Sequence, residues 1–246
     1  MRRALCILLT TGAVWAQSGW MIPNAPSSVI GIGQAGPVAN KPFSGVETRH
    51  MTQVLSDGTR VERSDTSNFY RDAAGRMRAE SPLRVLIYDS VAKMVYDLDP
   101  KNRTYTKRTD AADSVSIAVV NGGTYEHSNS GNVSSSPSHV DLGIPAHAKR
   151  DVRTVTEDLP RQFLNGISVR GSRVTSTIPA GVFGNDRDMK VVTERWFSDD
   201  LQLLVKSTNS DPRFGTTTYE LSNIVHGPPN PVLFQVPGDY HEKERR

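Results

Sequence analysis

Along two long parts of this chain, apolar and polar residues alternate with the period of two that marks half-buried strands. The stretch "SGVETRHMTQVL" places Val46, Thr48, His50, Thr52 and Val54 on one face, and the "SDGTR" behind it supplies an Asp57-Gly58 turn suited to a hairpin. "VERSDTSNFYRD" resumes the pattern, Ala74-Gly75 turns the chain, and "RMRAE" continues it. "VLIYD" and "KMVYDLD" are rich in β-branched and aromatic residues and are joined by three residues. Asp99-Pro100-Lys101-Asn102 has the Asp and Pro of a type I turn and leads into "RTYTKR". The style returns in "DVRTVTE", "ISVRGSRVTSTI", "MKVVTERWF", "LQLLVKS" and "TTTYELSNIV", where Tyr219, Leu221 and Val225 alternate with mostly polar neighbours. Long helical patterns are absent. The pattern predicts a mainly β protein of about ten or eleven strands, in a single curved antiparallel sheet with few short helices.

Composition changes the picture at the ends and in the middle. Arg2 and Arg3, the apolar run "ALCILLTTGAVWA" and the small-residue pattern ending at Ala16 read as a secretory signal over residues 1–16. That run is too short to span a bilayer, and no later segment is long and apolar enough. Residues 17–41 have the Pro, Ser, Gly and Asn content of a disordered linker, and residues 42–240 form the β-rich domain. A polar stretch at about 109–150, containing "NGGTYEHSNSGNVSSSPSH", reads as a flexible insertion, and residues 241–246 as a solvated tail. The one cysteine, Cys6, leaves with the signal, so disulfides and cysteine-ligated metals are not expected. Net charge falls from +3 to +1 without Arg2 and Arg3, which points away from a nucleic-acid partner.

Candidate chemistry is thin. "GIGQAG" at residues 31–36 fits G-x-G-x-x-G, but a Pro-broken stretch precedes it and "PVANKP" blocks the helix a dinucleotide loop requires. "DLDPKNRTYTKR" begins like a calcium loop, then carries Lys101 at its fifth position, Asn102 where Gly is needed and Arg108 in place of the closing Glu. "GISVR" approaches a hydrolase elbow, but Arg170 takes the last place and Ser168 reads as the start of a strand. His50, His127, His139, His147, His226 and His241 are dispersed without metal-ligand spacing. Asp186 with Asp188, and Asp199 with Asp200, fall between strands, where Asp bonds its own backbone. Asn102 and Asn132 sit in glycosylation sequons that carry no weight in a bacterial exported protein. No catalytic residue, cofactor or metal is assigned, and an enzyme is not expected. Trp196 and Phe197, being adjacent, point to opposite faces, so the candidate apolar lining is the face holding Val191 with Phe197 or that holding Val192 with Trp196.

Three stretches together, "FYRDAAGRMRAE", "TIPAGVFGNDRDMKVVTERWFSDDLQLLVKSTNSDPRFGTTTYELSNI" and "PPNPVLFQVPGDY", resemble a group of uncharacterised secreted proteins of environmental bacteria. More remotely, the run of strands, the "VYDLDPKNRTYTKR" hairpin and the closing F-x-V-P-x-x-Y at Phe234 to Tyr240 resemble the LolA/LolB class of periplasmic lipoprotein carriers. That resemblance implies an unclosed half-barrel whose apolar concave face shelters acyl chains beneath lid helices, for which this sequence shows no clear pattern. Two functions are therefore expected to compete. One is an exported, non-enzymatic binding module, periplasmic or extracellular, for a lipid-like molecule or an acylated protein. The other is a structural or interaction protein of the cell envelope, its concave face filled by its own side chains.

Overall fold

The computed structural model describes residues 38–109 and 151–243. Twelve strands lie among them: β1 (Phe43–Val54), β2 (Arg60–Arg71), β3 (Met77–Glu80), β4 (Val85–Asp89), β5 (Met94–Asp99), β6 (Thr104–Thr109), β7 (Arg153–Leu164), β8 (Ile167–Ile178), β9 (Met189–Ser198), β10 (Leu203–Asp211), β11 (Gly215–His226) and β12 (His241–Glu242). They share one sheet in the order β12-β6-β5-β4-β3-β2-β1-β11-β10-β9-β8-β7. The two ends of that order are different strands, so the layer is an open half-barrel. Two antiparallel meanders, β1–β6 and β7–β11, are joined by β1 against β11, from Phe43 opposite His226 to Thr52 opposite Thr216. The 3-10 turn Pro231–Phe234 begins with the Asn230 side chain accepting the Val232 N–H at 3.1 Å.

The hairpins form where the sequence carries turn chemistry. Gly58 takes φ 84° and the Asp57 carboxylate accepts the Thr59 N–H at 2.9 Å, which closes β1 onto β2. Asp72 accepts the N–H groups of Ala74 and Arg76 at 2.9 and 2.8 Å, and Asp99 accepts that of Asn102 at 3.0 Å. A Cβ on Gly215, where φ is 92°, would stand 2.1 Å from the Thr52 carbonyl oxygen, so β11 starts against β1 only with glycine there.

Cross-strand partners share a face, and one row of partners carries the core of the first meander: Phe43, Arg71, Met77, Tyr88 and Val95. All five are buried, and the apolar four join Phe69 and Ala79 in one cluster with Ile167, Val169, Leu203, Val205, Tyr219 and Leu221 of the second meander. A cluster containing β4 and β8 together requires the sheet to curl, because those strands are seven neighbours apart in its order. Each large apolar side chain so buried contributes roughly 1.5–3 kcal/mol relative to exposure.

Arg71 draws the two halves together at their closed end. Its Nε donates to the Lys41 carbonyl at 2.8 Å, its Nη2 donates to the Leu201 carbonyl before β10, and its guanidinium lies 4.9 Å from the Phe43 ring centre. On a flat sheet β2 and β10 would be three spacings, or about 14 Å, apart. Burial pushes the Arg71 pKa down to about 10, so the group stays charged at neutral pH.

Two further clusters use opposite surfaces. Val85, Ile87 and Leu98 face away from Tyr88 and Val95, and Val236 and Tyr240 of the C-terminal segment pack on them. That segment is fixed by Arg78 donating to the Leu233 carbonyl at 2.9 Å, by Arg76 over the Phe234 ring, and by β12 beside β6. His241 and Glu242, expected in a solvated tail, thus form the sheet's one parallel pairing. On β8 the buried positions change parity without a bulge against β9: Ile167, Val169 and Gly171 at one end, then Val174, Ser176 and Ile178. Ile178 and Val191 form the third cluster.

Two details depart from simple alternation. On β1 the buried positions are Phe43, Gly45 and Glu47, while the Val46 to Val54 face is the wetter one. A bulge between Ser44 and Val46, with Asn223 at φ 50°, breaks the β11 pattern, so Tyr219 and Leu221 are buried while Val225 is 62% exposed. The signal, "GIGQAG" and the polar insertion from residue 110 to 150 lie outside the described residues.

Replacing Arg71 with Met strands the two carbonyls it serves and is expected to cost about 2–4 kcal/mol, read as a lower urea midpoint with unchanged far-ultraviolet dichroism. Gly215→Ala is expected to cost about 2–4 kcal/mol in the same assay, from the clash with Thr52 and the left-handed backbone together.

Candidate functional site

The concave face is the surface on which the competing expectations differ. At its closed end Phe43, Phe69, Tyr88, Val169, Leu203, Val205, Tyr219 and Leu221 are each at 0% exposure, packed on one another. Two depressions among the described residues lie elsewhere and are open grooves. One, of about 530 Å³, is lined by residues such as Arg153, Val155, Glu157, Thr175 and Lys190; the other by the loop from Asn185 to Lys190 with Pro212. At its closed end the concavity is therefore filled by its own side chains.

Beyond that core the same face turns polar. Glu47 on β1 lies opposite Leu221, and its carboxylate is 3.8 Å from the Arg49 guanidinium. Burial raises the Glu47 pKa to about 7, with Arg49 pulling the other way. Tyr219, opposite Arg49, is raised well above the usual phenol range by burial and then by the Glu47 charge. Burial lowers Arg195 on β9. Glu47 Oε2, the Tyr219 hydroxyl and the Ser207 hydroxyl are buried without a hydrogen-bond partner among the described residues. Glu47 escaped sequence reading because its cue is parity: it follows Phe43 and Gly45 at steps of two, on the face opposite the Val46 set.

The sequence candidates scatter. Val191 is buried with Ile178, while Phe197, at the other end of the same strand face, lies beneath Arg170 at 4.7 Å. Trp196 packs against the main cluster and over Gly171, where a Cβ would stand 2.3 Å from its ring, and Val192 is half-buried. Neither pair is left as a free apolar lining. Asp188 accepts the Ala180 N–H at 3.0 Å, as a turn residue does. Asp199 instead accepts from Arg170 and Arg161 at 2.8 and 2.9 Å, and those bonds hold it below the usual carboxylate range. Ser168 lies inside β8 and Asn102 in the β5–β6 turn. His50, His226 and His241 stand on three strands, and among the described residues no three His, Cys, Asp or Glu side chains gather into a metal site. His127, His139, His147 and Asn132 lie outside the described residues, and among the described residues no helix is long and apolar enough to cross a membrane.

No protein-family model matches this chain, and no curated protein matches it. Among solved structures it is similar to the MucA/MucB complex of Pseudomonas aeruginosa at 10% identity and a TM-score of 0.30, over 80% of this chain and 56% of that one. It is also similar to a LolA superfamily protein from Nitrosomonas europaea at 9% identity and a TM-score of 0.30, over 81% and 92% of the two chains. A third is the lipoprotein LppX of Mycobacterium tuberculosis, at 13% identity and a TM-score of 0.27, over 78% and 90%. This chain spans little more than half of the MucA/MucB chain. Likenesses at this level concern the open curved sheet and carry no ligand or partner with them.

Glu47 supplies a pH test. Its folded pKa lies above the ordinary 4.5, so the folded state keeps a proton that the unfolded state releases. Its contribution to stability is whole below pH 4.5, falls as the pH rises, and is lost by about pH 7. Stability of the native chain is expected to drop by roughly 2–3 kcal/mol more between pH 5 and pH 8 than that of Glu47→Gln, measured by urea unfolding at both values.

Proposed function

We propose that this chain is an exported, non-enzymatic interaction module of the cell envelope that receives an extended segment of a partner protein along β7. The observation that carries this reading is β7 itself. It ends the sheet, runs for twelve residues, is exposed along almost its whole length, and pairs only with β8 among the described residues. A long open edge offers a row of unpaired backbone donors and acceptors, the basis of recognition by strand addition. Pro160 and the irregularity between Leu159 and Gln162 interrupt that row, leaving residues 153–159 as its continuous part. Phe163, 78% exposed, and Val155 provide apolar contacts beside it. The opposite end of the sheet is the two-residue β12, with Glu242 paired to Lys107 at 2.8 Å, and offers no comparable edge.

The acyl-binding alternative requires a free apolar concavity, and the side chains that would line one are packed against each other. A photo-reactive residue at Thr156 on β7 is expected to cross-link one defined partner in intact exporting cells, while the same residue at Ser64 on β2 does not. Native mass spectrometry of the purified chain is expected to give the polypeptide mass alone. Co-purifying lipid together with a silent Thr156 probe would reverse the choice between the two functions.

A further inference from the structure

One register row crosses the sheet: Arg49 on β1, Tyr219 on β11, Ser207 on β10, Arg195 on β9 and Ser172 on β8. Each is directly opposite the next, so the five side chains share a face with Cβ atoms about 4.5–5.5 Å apart. The central two are at 0% exposure, and neither hydroxyl has a partner among the described residues. Arg195 is half-buried and makes no hydrogen bond or ion pair there, although its neighbours Arg161, Arg170 and Arg173 are all paired. Arg49 has one ion pair, the 3.8 Å contact with Glu47. Donors removed from water without acceptors are costly, and here they lie in a single line.

We propose that this row is a binding site for a phosphate-class oxyanion, held between Arg49 and Arg195 with the Tyr219 and Ser207 hydroxyls donating from beneath. On a flat sheet the two arginines would be three spacings, about 14 Å, apart. In the proposed site two long guanidinium side chains reach toward one anion from either side of Tyr219 and Ser207. Planar guanidinium forks match the geometry of phosphate oxygens, and neutral hydroxyls complete a donor set with little competing charge. The carboxylates nearest the row are Asp65, opposite Arg49 on β2, Asp158, opposite Ser172 on β7, and Glu47. The first two flank the ends of the row rather than its centre. Burial favours the protonated form of Glu47, so its opposition to an anion weakens as the pH falls below about 7.

Isothermal titration of the full exported chain with inorganic phosphate at pH 6.5, at constant ionic strength against chloride, is expected to show saturable binding. Arg195→Gln and Tyr219→Phe are each expected to weaken it about tenfold or more, the scale of a lost charge-assisted or buried hydrogen bond. Arg173→Gln, on the other face, should leave it unchanged, and urea midpoints establish that each variant is folded. Vesicles of phosphatidylglycerol and of phosphatidylcholine distinguish the sources. Phosphate binding joined by phosphatidylglycerol binding that Arg195→Gln abolishes identifies a lipid headgroup; phosphate binding without vesicle binding identifies the free anion. Absence of phosphate binding, or phosphate binding that folded Arg195→Gln and Tyr219→Phe both retain, overturns the site.

Discussion

Among the described residues a single curved sheet hides its apolar face against itself, and that constraint organises this part of the molecule. No α-helix lies across the strands among the described residues. The first meander therefore curls until Phe43, Phe69 and Tyr88 reach the cluster built by Val169, Leu203 and Leu221. Arg71 holds that closure by serving two carbonyls far apart in sequence, Lys41 and Leu201. An arginine suits the place because its spread donors reach both oxygens while its flat face rests on Phe43.

Closing in this way leaves consequences on the other surfaces. Strands β4 and β5 become buried on both faces, with Tyr88 and Val95 turned inward and Ile87 and Leu98 covered by Val236 and Tyr240. Strong twist lets β8 bury opposite faces at its two ends. Between the clusters the sheet carries the Glu47, Arg49, Tyr219, Ser207 and Arg195 side chains, several of them buried without the partners such groups ordinarily have. The open edge at β7 is the other consequence, because a sheet that does not close into a barrel must end somewhere.

The functional reading follows from where apolar surface is used up and where hydrogen-bonding capacity is left over. The closed end of the concavity is filled, so apolar burial is already committed to folding. Backbone groups along β7 and side-chain donors in the Arg49 to Arg195 row are the unused capacity. The first suits an extended peptide and the second an oxyanion; the two lie on different parts of the sheet.

Local order was legible in the chain. Period-two alternation, the Asp57-Gly58 and Asp99-Pro100 turns and the near absence of helical runs determined an antiparallel, hairpin-built sheet, because strand formation and tight turns depend on neighbours a few residues away. The sequence also determined that "GIGQAG" is followed by no helix-forming segment, although that loop lies outside the described residues. Which face of each strand would be buried was decided only in three dimensions. The bulge opposite Ser44 sends Val225 outward, Glu47 rather than Val46 goes inside, and the expected lining residues Val191, Phe197 and Trp196 separate into different surroundings. Those outcomes depend on β1 meeting β11 across some 170 residues, on the curl locked by Arg71, and on a C-terminal segment returning to β6. A period of two tells that a strand has two faces; only the partners brought by the rest of the fold decide which of them is kept from water.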